Sequence, residues 1–355
     1  MLASELMSTR NMIDAHTRVF TSLDSFCLAQ NDPVRNAGAA RWIAGSGQVD
    51  KGRLLFAELK SSLSFAASIK VARFDLAETS FLCTVGLDLP EDIDFLREEE
   101  LGGGMLTVIL SELAPLPIRS SLAIRDVVEV EDKGSNPNYK GHAPQSIAQL
   151  FPAIRFFSTE NLAEEETQRV FFLLCLSDTT RATLWMNSQL RETLRLIAEL
   201  SPIAIPYRTL CRSVFDTDPS AVFMALYRCL EALYAYSHTT KLMSRLGIHE
   251  PWSDVAQVLE ETLSWRPREE QSLGALLRHA VVEDLRTILA ALGDNAADEG
   301  DIVNRATKRI YNLRNSLVHY RPFHQSFQIE KVNWNLLCEA TALLVLHVYD
   351  SVVVA

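Results

Sequence analysis

The chain has 355 residues, 48% of them hydrophobic and 22% charged, the proportions of an ordinary soluble globular protein long enough for two domains with full cores. Its formal net charge of −11 and pI near 5.3 argue against a protein that coats nucleic acid without selectivity, and leave room for one that engages RNA at a local patch. The six cysteines (Cys27, Cys83, Cys175, Cys211, Cys229 and Cys338) lie far apart, with no C-x-x-C pair and no histidine at ligand spacing. That pattern argues against structural zinc and for a reducing, cytoplasmic setting.

Residues 1–30 read as a helix, with Leu2, Leu6, Ile13, Val19, Phe20 and Leu23 at helical spacing and Asn31-Asp32-Pro33 as its stop. Residues 1–36 hold no continuous apolar run of the kind a secretory signal carries. Residues 37–52 contain four of the fourteen glycines and read as a loop. The texture then changes. Segments 53–59, 65–75, 80–88, 105–110 and 118–130 are short, rich in Val, Ile, Leu, Phe and Thr, and bounded by turn-forming residues, which predicts strands. A helical interruption fits at 91–100, and 133–145 (KGSNPNYKGHAPQ) is the clearest loop.

Past Phe151 the strand signal fades, and 178–200 reads as a helix stopped by Ser201-Pro202. Asp218-Pro219 then opens a helix whose apolar face is Val222, Phe223, Leu226, Tyr227, Leu230, Leu233 and Tyr234. Further helices are expected over 253–265, over 269–292 with Gly293 as C-cap, from an Asp301 cap onward, and over about 331–353. The last of these is apolar but interrupted by Glu339, His347 and Asp350, so it reads as a buried helix and no membrane span is expected. The fold class is therefore α+β: a strand-rich domain over 1–160, a helical connector over 161–204, and an all-α bundle over 205–355.

Most candidate chemistry has a plain structural reading. Gly102-Gly103-Gly104 lacks the Gly-Lys-Ser/Thr of a phosphate loop and reads as a turn. Glu98-Glu99-Glu100 and Glu164-Glu165-Glu166 read as solvated loops or helix starts, and His142 as an exposed loop residue. No G-x-S-x-G elbow is present. Neither a metal nor a cofactor is expected.

One stretch resists that treatment. Between Ile302 and Arg321 stand Arg305, Lys308, Arg309, Arg314 and Arg321 without a single Asp or Glu, on a chain that is acidic overall. On an ideal wheel of about 100° per residue, Ile302, Val303, Ala306, Ile310, Leu313 and Leu317 share one side. Arg305, Lys308, Asn312, Asn315 and His319 share the other, which places the Asn315 amide one turn from the His319 imidazole, where it can orient the ring. Arg314 stands roughly 140° from His319 on that wheel. The two can serve one phosphate only if the helix bends or stops before His319, or if two copies of the chain meet. The structural alternative is a helix C-terminus decorated with Arg and His because they suit the negative end of the dipole.

Arg314-Asn315-Ser316-Leu317-Val318-His319, followed by Tyr320-Arg321-Pro322, resembles the R-x4–6-H signature of the HEPN superfamily. Residues 223–234 also resemble the early HEPN helix, in which an aromatic-rich face precedes a Glu, here Glu231. The resemblance covers about 205–355. It implies an α-helical bundle that forms a homodimer, pairing two such faces, and a metal-independent endoribonuclease that cleaves RNA by attack of the ribose 2′-hydroxyl on the adjacent phosphate. It implies His319 as general base or acid, Arg314 as stabiliser of phosphorane charge, Asn315 as orienter of His319 or phosphate ligand, and Glu231 as a brace for Arg314. Arg305, Lys308, Arg309 and Arg321 would guide the RNA backbone. The expected role is a toxin or anti-phage defence effector awaiting a trigger or regulatory partner. The alternative is a non-catalytic HEPN-like module for nucleotide binding or protein interaction.

Overall fold

The computed structural model describes residues 10–93, 95–129, 139–159, 162–182, 184–200, 205–294, 301–319 and 329–353. The chain divides into two compact units, one running to Thr167 and one from Gln168. The class is α+β, with the sheet confined to the first unit and, among the described residues, only helices in the second.

In the first unit the helices are α1 (Met12–Ala29), α2 (Gly47–Phe56), α3 (Gly103–Leu113), α4 (Ser121–Val128) and α5 (Pro144–Ala148). The strands are β1 (Glu58–Ala66), β2 (Ile69–Leu76), β3 (Thr79–Val85), β4 (Arg97–Glu98) and β5 (Ile154–Thr159), hydrogen-bonded antiparallel in the order β1-β2-β3-β5-β4. The register sets Phe74 opposite Phe81, Ala72 opposite Cys83 and Cys83 opposite Phe156, so these residues share a face. Against them pack Met105, Val108, Ile109 and Leu113 of α3, with Leu54 of α2 and Ala15 of α1. The opposite side of α3, Leu106 and Leu110, meets Val19, Phe20, Leu23 and Cys27 of α1 and Ile124 and Val128 of α4.

The central position of α3 explains why residues 105–110, expected as a strand, are helical. A helix buried on all sides shows an unbroken apolar run with no 3.6-residue period to betray it. Residues 118–130 are likewise not a strand. Ser120 caps α4 by accepting from the Ala123 N–H, and only Ile124 and Val128, four apart, are buried. Among the described residues of 91–100, where a helical interruption is expected, there is no helix; Arg97–Glu98 instead adds a short edge strand to β5. The loop expected over 37–52 gives way to α2 at Gly47. Leu2 and Leu6 lie outside the described residues, and α1 starts where the Asn11 carboxamide accepts from Ile13 and Asp14.

Gly102-Gly103-Gly104 is not a turn but the N-cap and first turn of α3, pressed onto α2 and the preceding loop. The buried Asp50 carboxylate accepts from the Gly104 N–H at 2.8 Å and the Ser46 N–H at 3.0 Å, closing two orphan donors with one anion. His142 is buried rather than exposed, its ring 5.0 Å from that of Phe20 and 5.3 Å from that of Tyr139.

α6 (Glu164–Leu176) opens on the three glutamates and runs across the boundary between the units. Then come α7 (Ser188–Ile197), α8 (Tyr207–Val214), α9 (Ser220–Glu231), α10 (Tyr236–Leu246), α11 (Trp252–Leu263), α12 (Glu269–Leu276), α13 (Val282–Ala291), α14 (Ile302–Val318) and α15 (Trp334–Val353). α15 is the axis of this unit, packing against α7, α9 and α13. Residues 168–200 are thus part of the bundle and not a separate connector. Asn335 ties them in, accepting from the Asn187 N–H and donating to the Trp185 carbonyl.

Two helices are shorter than expected. Among the described residues of 178–200 only α7 is helical, and the Asp178 carboxylate draws the N–H groups of Thr180, Arg181 and Ala182 into a turn. The expected helix over 269–292 is broken by a 3-10 turn at Leu277–His279. On one straight helix Leu273 and Leu285 would stand about 120° apart; the break lets both reach the core. Among the described residues no helix is long and apolar enough to cross a membrane.

Candidate functional site

Asp301 starts α14 as the sequence predicts, its carboxylate accepting from the Asn304 N–H at 3.2 Å. Ala306, Thr307, Ile310 and Leu313 form the buried face, and α12 and α13 are the neighbours they meet. The helix stops at Val318. His319 is in extended backbone (φ −114°, ψ 117°), its N–H donating to the Asn315 carbonyl, and its side chain is exposed. Of the two ways round the wheel's 140° separation, the helix stop is therefore realised within one chain.

Arg314 is the meeting point of three elements. Its Nη1 donates to Asn315 Oδ1 at 3.0 Å, and its Nη2 lies 3.4 Å from Glu231 Oε1 at the end of α9. Glu269, in the first turn of α12, faces both nitrogens, with Oε1 at 3.4 Å from Nη2 and Oε2 at 3.4 Å from Nη1. The guanidinium carbon stands 5.9 Å from the centre of the Tyr227 ring, and the buried Nε has no partner among the described residues. Tyr234 donates to the Tyr227 hydroxyl at 2.7 Å, closing the floor with a buried phenol pair. Burial pushes the Tyr227 phenol up to about 12, which keeps it protonated at neutral pH.

The electrostatics follow from one cation shared by two carboxylates. Burial raises the Glu231 carboxyl above the usual range even though Arg314 pulls the other way, and the Glu269 charge adds to the rise. For Arg314, burial opposes the charge, but Glu269 and then Glu231 outweigh it and hold the guanidinium above its ordinary value. The cluster therefore carries about one net negative charge when both glutamates are ionised.

Three of the expected residues, Arg314, Asn315 and Glu231, come together. His319 does not join them by any hydrogen bond: its imidazole has no partner among the described residues, and the Asn315 amide is turned to Arg314. The orienting contact between Asn315 and His319 assumed that the helix continued through His319, and the helix stops short of it. The basic strip is also largely answered from within. Arg305 pairs with Asp294 at 2.8 Å, and Arg309 reaches the same carboxylate at 3.6 Å while donating to the Leu292 carbonyl just past α13. Lys308 is exposed and without a partner among the described residues, whereas Arg321 lies outside them. Glu269 and Asp294 were not singled out in the sequence. Glu269 carries only the general signal of an acidic residue in a helix's first turn, which says nothing about the arginine it meets.

Among the described residues, no group of three His, Cys, Asp or Glu side chains could hold a metal ion, and all six cysteines are buried thiols. No family model, curated protein or solved structure matches the chain.

Proposed function

We propose that the second unit is a metal-independent endoribonuclease domain of the HEPN type, acting as a homodimer in which two copies of the Arg314–His319 segment share one RNA strand. The observation that carries this reading is the convergence of Glu231, 83 residues away, and Asn315 on one guanidinium, with an exposed His319, without a partner among the described residues, just beyond the helix end. In the reaction, one His319 imidazole removes the proton of a ribose 2′-hydroxyl, and the oxygen attacks the adjacent phosphorus. Arg314 holds the growing negative charge of the phosphorane. The 5′-oxygen leaves with a proton from the second copy's imidazolium, giving a 2′,3′-cyclic phosphate and a 5′-hydroxyl. Glu231 keeps the guanidinium aimed. The buried thiols and the lack of a spanning helix among the described residues support a cytoplasmic setting. The acidic remainder of the chain suits a toxin or anti-phage effector that stays off bulk RNA until a trigger acts.

A second reading, a non-catalytic helical interaction module, is favoured by Glu269 on Arg314 and by Asp294 on Arg305 and Arg309, contacts that satisfy these cations without RNA. The test is expression of the wild type beside His319→Ala, scoring growth and total RNA integrity, with cleavage by purified protein repeated in EDTA. Toxicity and cleavage are expected to vanish with the imidazole and to survive the chelator. Equal cleavage by both proteins would remove His319, and the mechanism with it.

A further inference from the structure

Glu269 occupies Arg314 in a particular way. Its two oxygens face Nη1 and Nη2, the same two-nitrogen edge of the guanidinium that a phosphodiester's two non-bridging oxygens would use. Glu231, by contrast, meets Nη2 alone. The Glu269 carboxylate thus stands where a substrate phosphate would stand, and while it is there the site is both filled and net negative.

The contact is also built to be given up. At 3.4 Å its two legs, like the single leg of Glu231, are longer than the roughly 2.7–2.9 Å of a tight charge-assisted bond, so it is exposure that sets the two glutamates apart. The Glu269 side chain is 43% exposed against 30% for Glu231, and it begins α12 just after Ser264–Arg268, where most residues are exposed. Rotation about its own side-chain bonds clears the edge without disturbing the buried face of α12, Ser272, Leu273 and Leu276. Glu231 is the more enclosed of the two and meets only one nitrogen. Its helix is anchored by buried Val222, Phe223, Leu226, Tyr227 and Leu230.

We propose that Glu269 is an autoinhibitory carboxylate, an internal mimic of the RNA phosphate that holds Arg314 closed in the resting chain and must swing away before RNA binds. This rests on the reading of Arg314 as the phosphate-binding residue, and it assigns opposite roles to two glutamates on one cation. Glu231 braces the guanidinium and Glu269 blocks it.

The experiment uses the full chain and two probes: a fluorescent single-stranded oligoribonucleotide with 2′-fluoro sugars, which cannot be cleaved by 2′-attack, and its ordinary 2′-hydroxyl counterpart. Glu269→Ala and Glu269→Gln, checked by thermal unfolding for an intact fold, are expected to bind the 2′-fluoro strand on the order of tenfold tighter than the wild type, as loss of one nearby like charge implies. Most of that gain should disappear in Glu269→Ala/Arg314→Lys, which keeps a cation beside Glu231 but loses the two-nitrogen edge. Unchanged or weaker binding by both single variants overturns the proposal, as does a gain that persists in full in the double variant. The ordinary strand separates this from the nuclease reading. Tighter, Arg314-dependent binding without cleavage by any variant leaves the gate standing and removes the ribonuclease. Cleavage that rises in Glu269→Ala and vanishes when His319→Ala is added supports both.

Discussion

A single methyl group at Gly104 should unsettle the first unit. An added Cβ there would lie 2.1 Å from the Asp50 carbonyl oxygen and 2.7 Å from Asp50 Oδ1, where real contacts stay beyond 3.0 Å. The carbonyl belongs to the backbone of α2, so no side-chain rotation relieves the clash, and the two helices must part by nearly an ångström. Overpacking of this kind costs about 1–3 kcal/mol. The same movement stretches the Gly104 N–H bond to the buried carboxylate, a charge-assisted contact worth about 1.5–3 kcal/mol. Alanine returns at most about 1 kcal/mol of helix propensity. The net expectation for Gly104→Ala is a loss of about 2–4 kcal/mol, which for a unit of this size lowers the midpoint by roughly 5–12 °C. Calorimetry of the full chain reads it directly. Gly52→Ala is the control, since an added Cβ there meets nothing within 4 Å and its backbone already lies inside α2; it should be neutral or slightly stabilising. A Gly104→Ala protein as stable as the wild type, or a Gly52→Ala protein equally weakened, would refute the packing argument.

Two further outcomes are expected. The buried Tyr349 hydroxyl donates to the Cys229 carbonyl at 2.9 Å, joining α15 to α9, so Tyr349→Phe should cost about 1–2 kcal/mol in urea unfolding of the second unit with little change in slope. His16 is held neutral by burial, its pKa lowered from 6.5 to about 4. The unfolded chain therefore takes up this proton first: the stability is fully present above pH 6.5 and is lost as pH falls toward 4. Discounting for its partly exposed edge, the loss is on the order of 1–2 kcal/mol, and His16→Asn should flatten that part of a stability–pH curve.

What was legible along the chain was what neighbours in sequence decide. The Asp301 cap, the apolar face of α9, the β2–β3 texture and the cation run of α14 all depend on residues within one or two turns, and all stand where the sequence places them. Illegible were elements whose surroundings are distant. α3 is enclosed by the sheet on one side and α1 and α4 on the other, so its sequence lost the polar face that marks a helix. β5 is a six-residue strand whose partners, β3 and β4, lie well upstream of it.

The Arg314–His319 segment divides in the same way. By itself the sequence determined that a cation, an amide and an imidazole stand within six residues of one another at the end of a basic run, and that a straight helix would hold Arg314 and His319 apart. Only the tertiary structure decided that the helix ends at Val318, that Asp294 answers Arg305 and Arg309, and that Glu231 and Glu269 both close on Arg314. Helical spacing is a property of the local chain. Which carboxylate neutralises which cation depends on how α9, α12, α13 and α14 pack, and contacts 45 and 83 residues apart leave no periodic trace in the sequence.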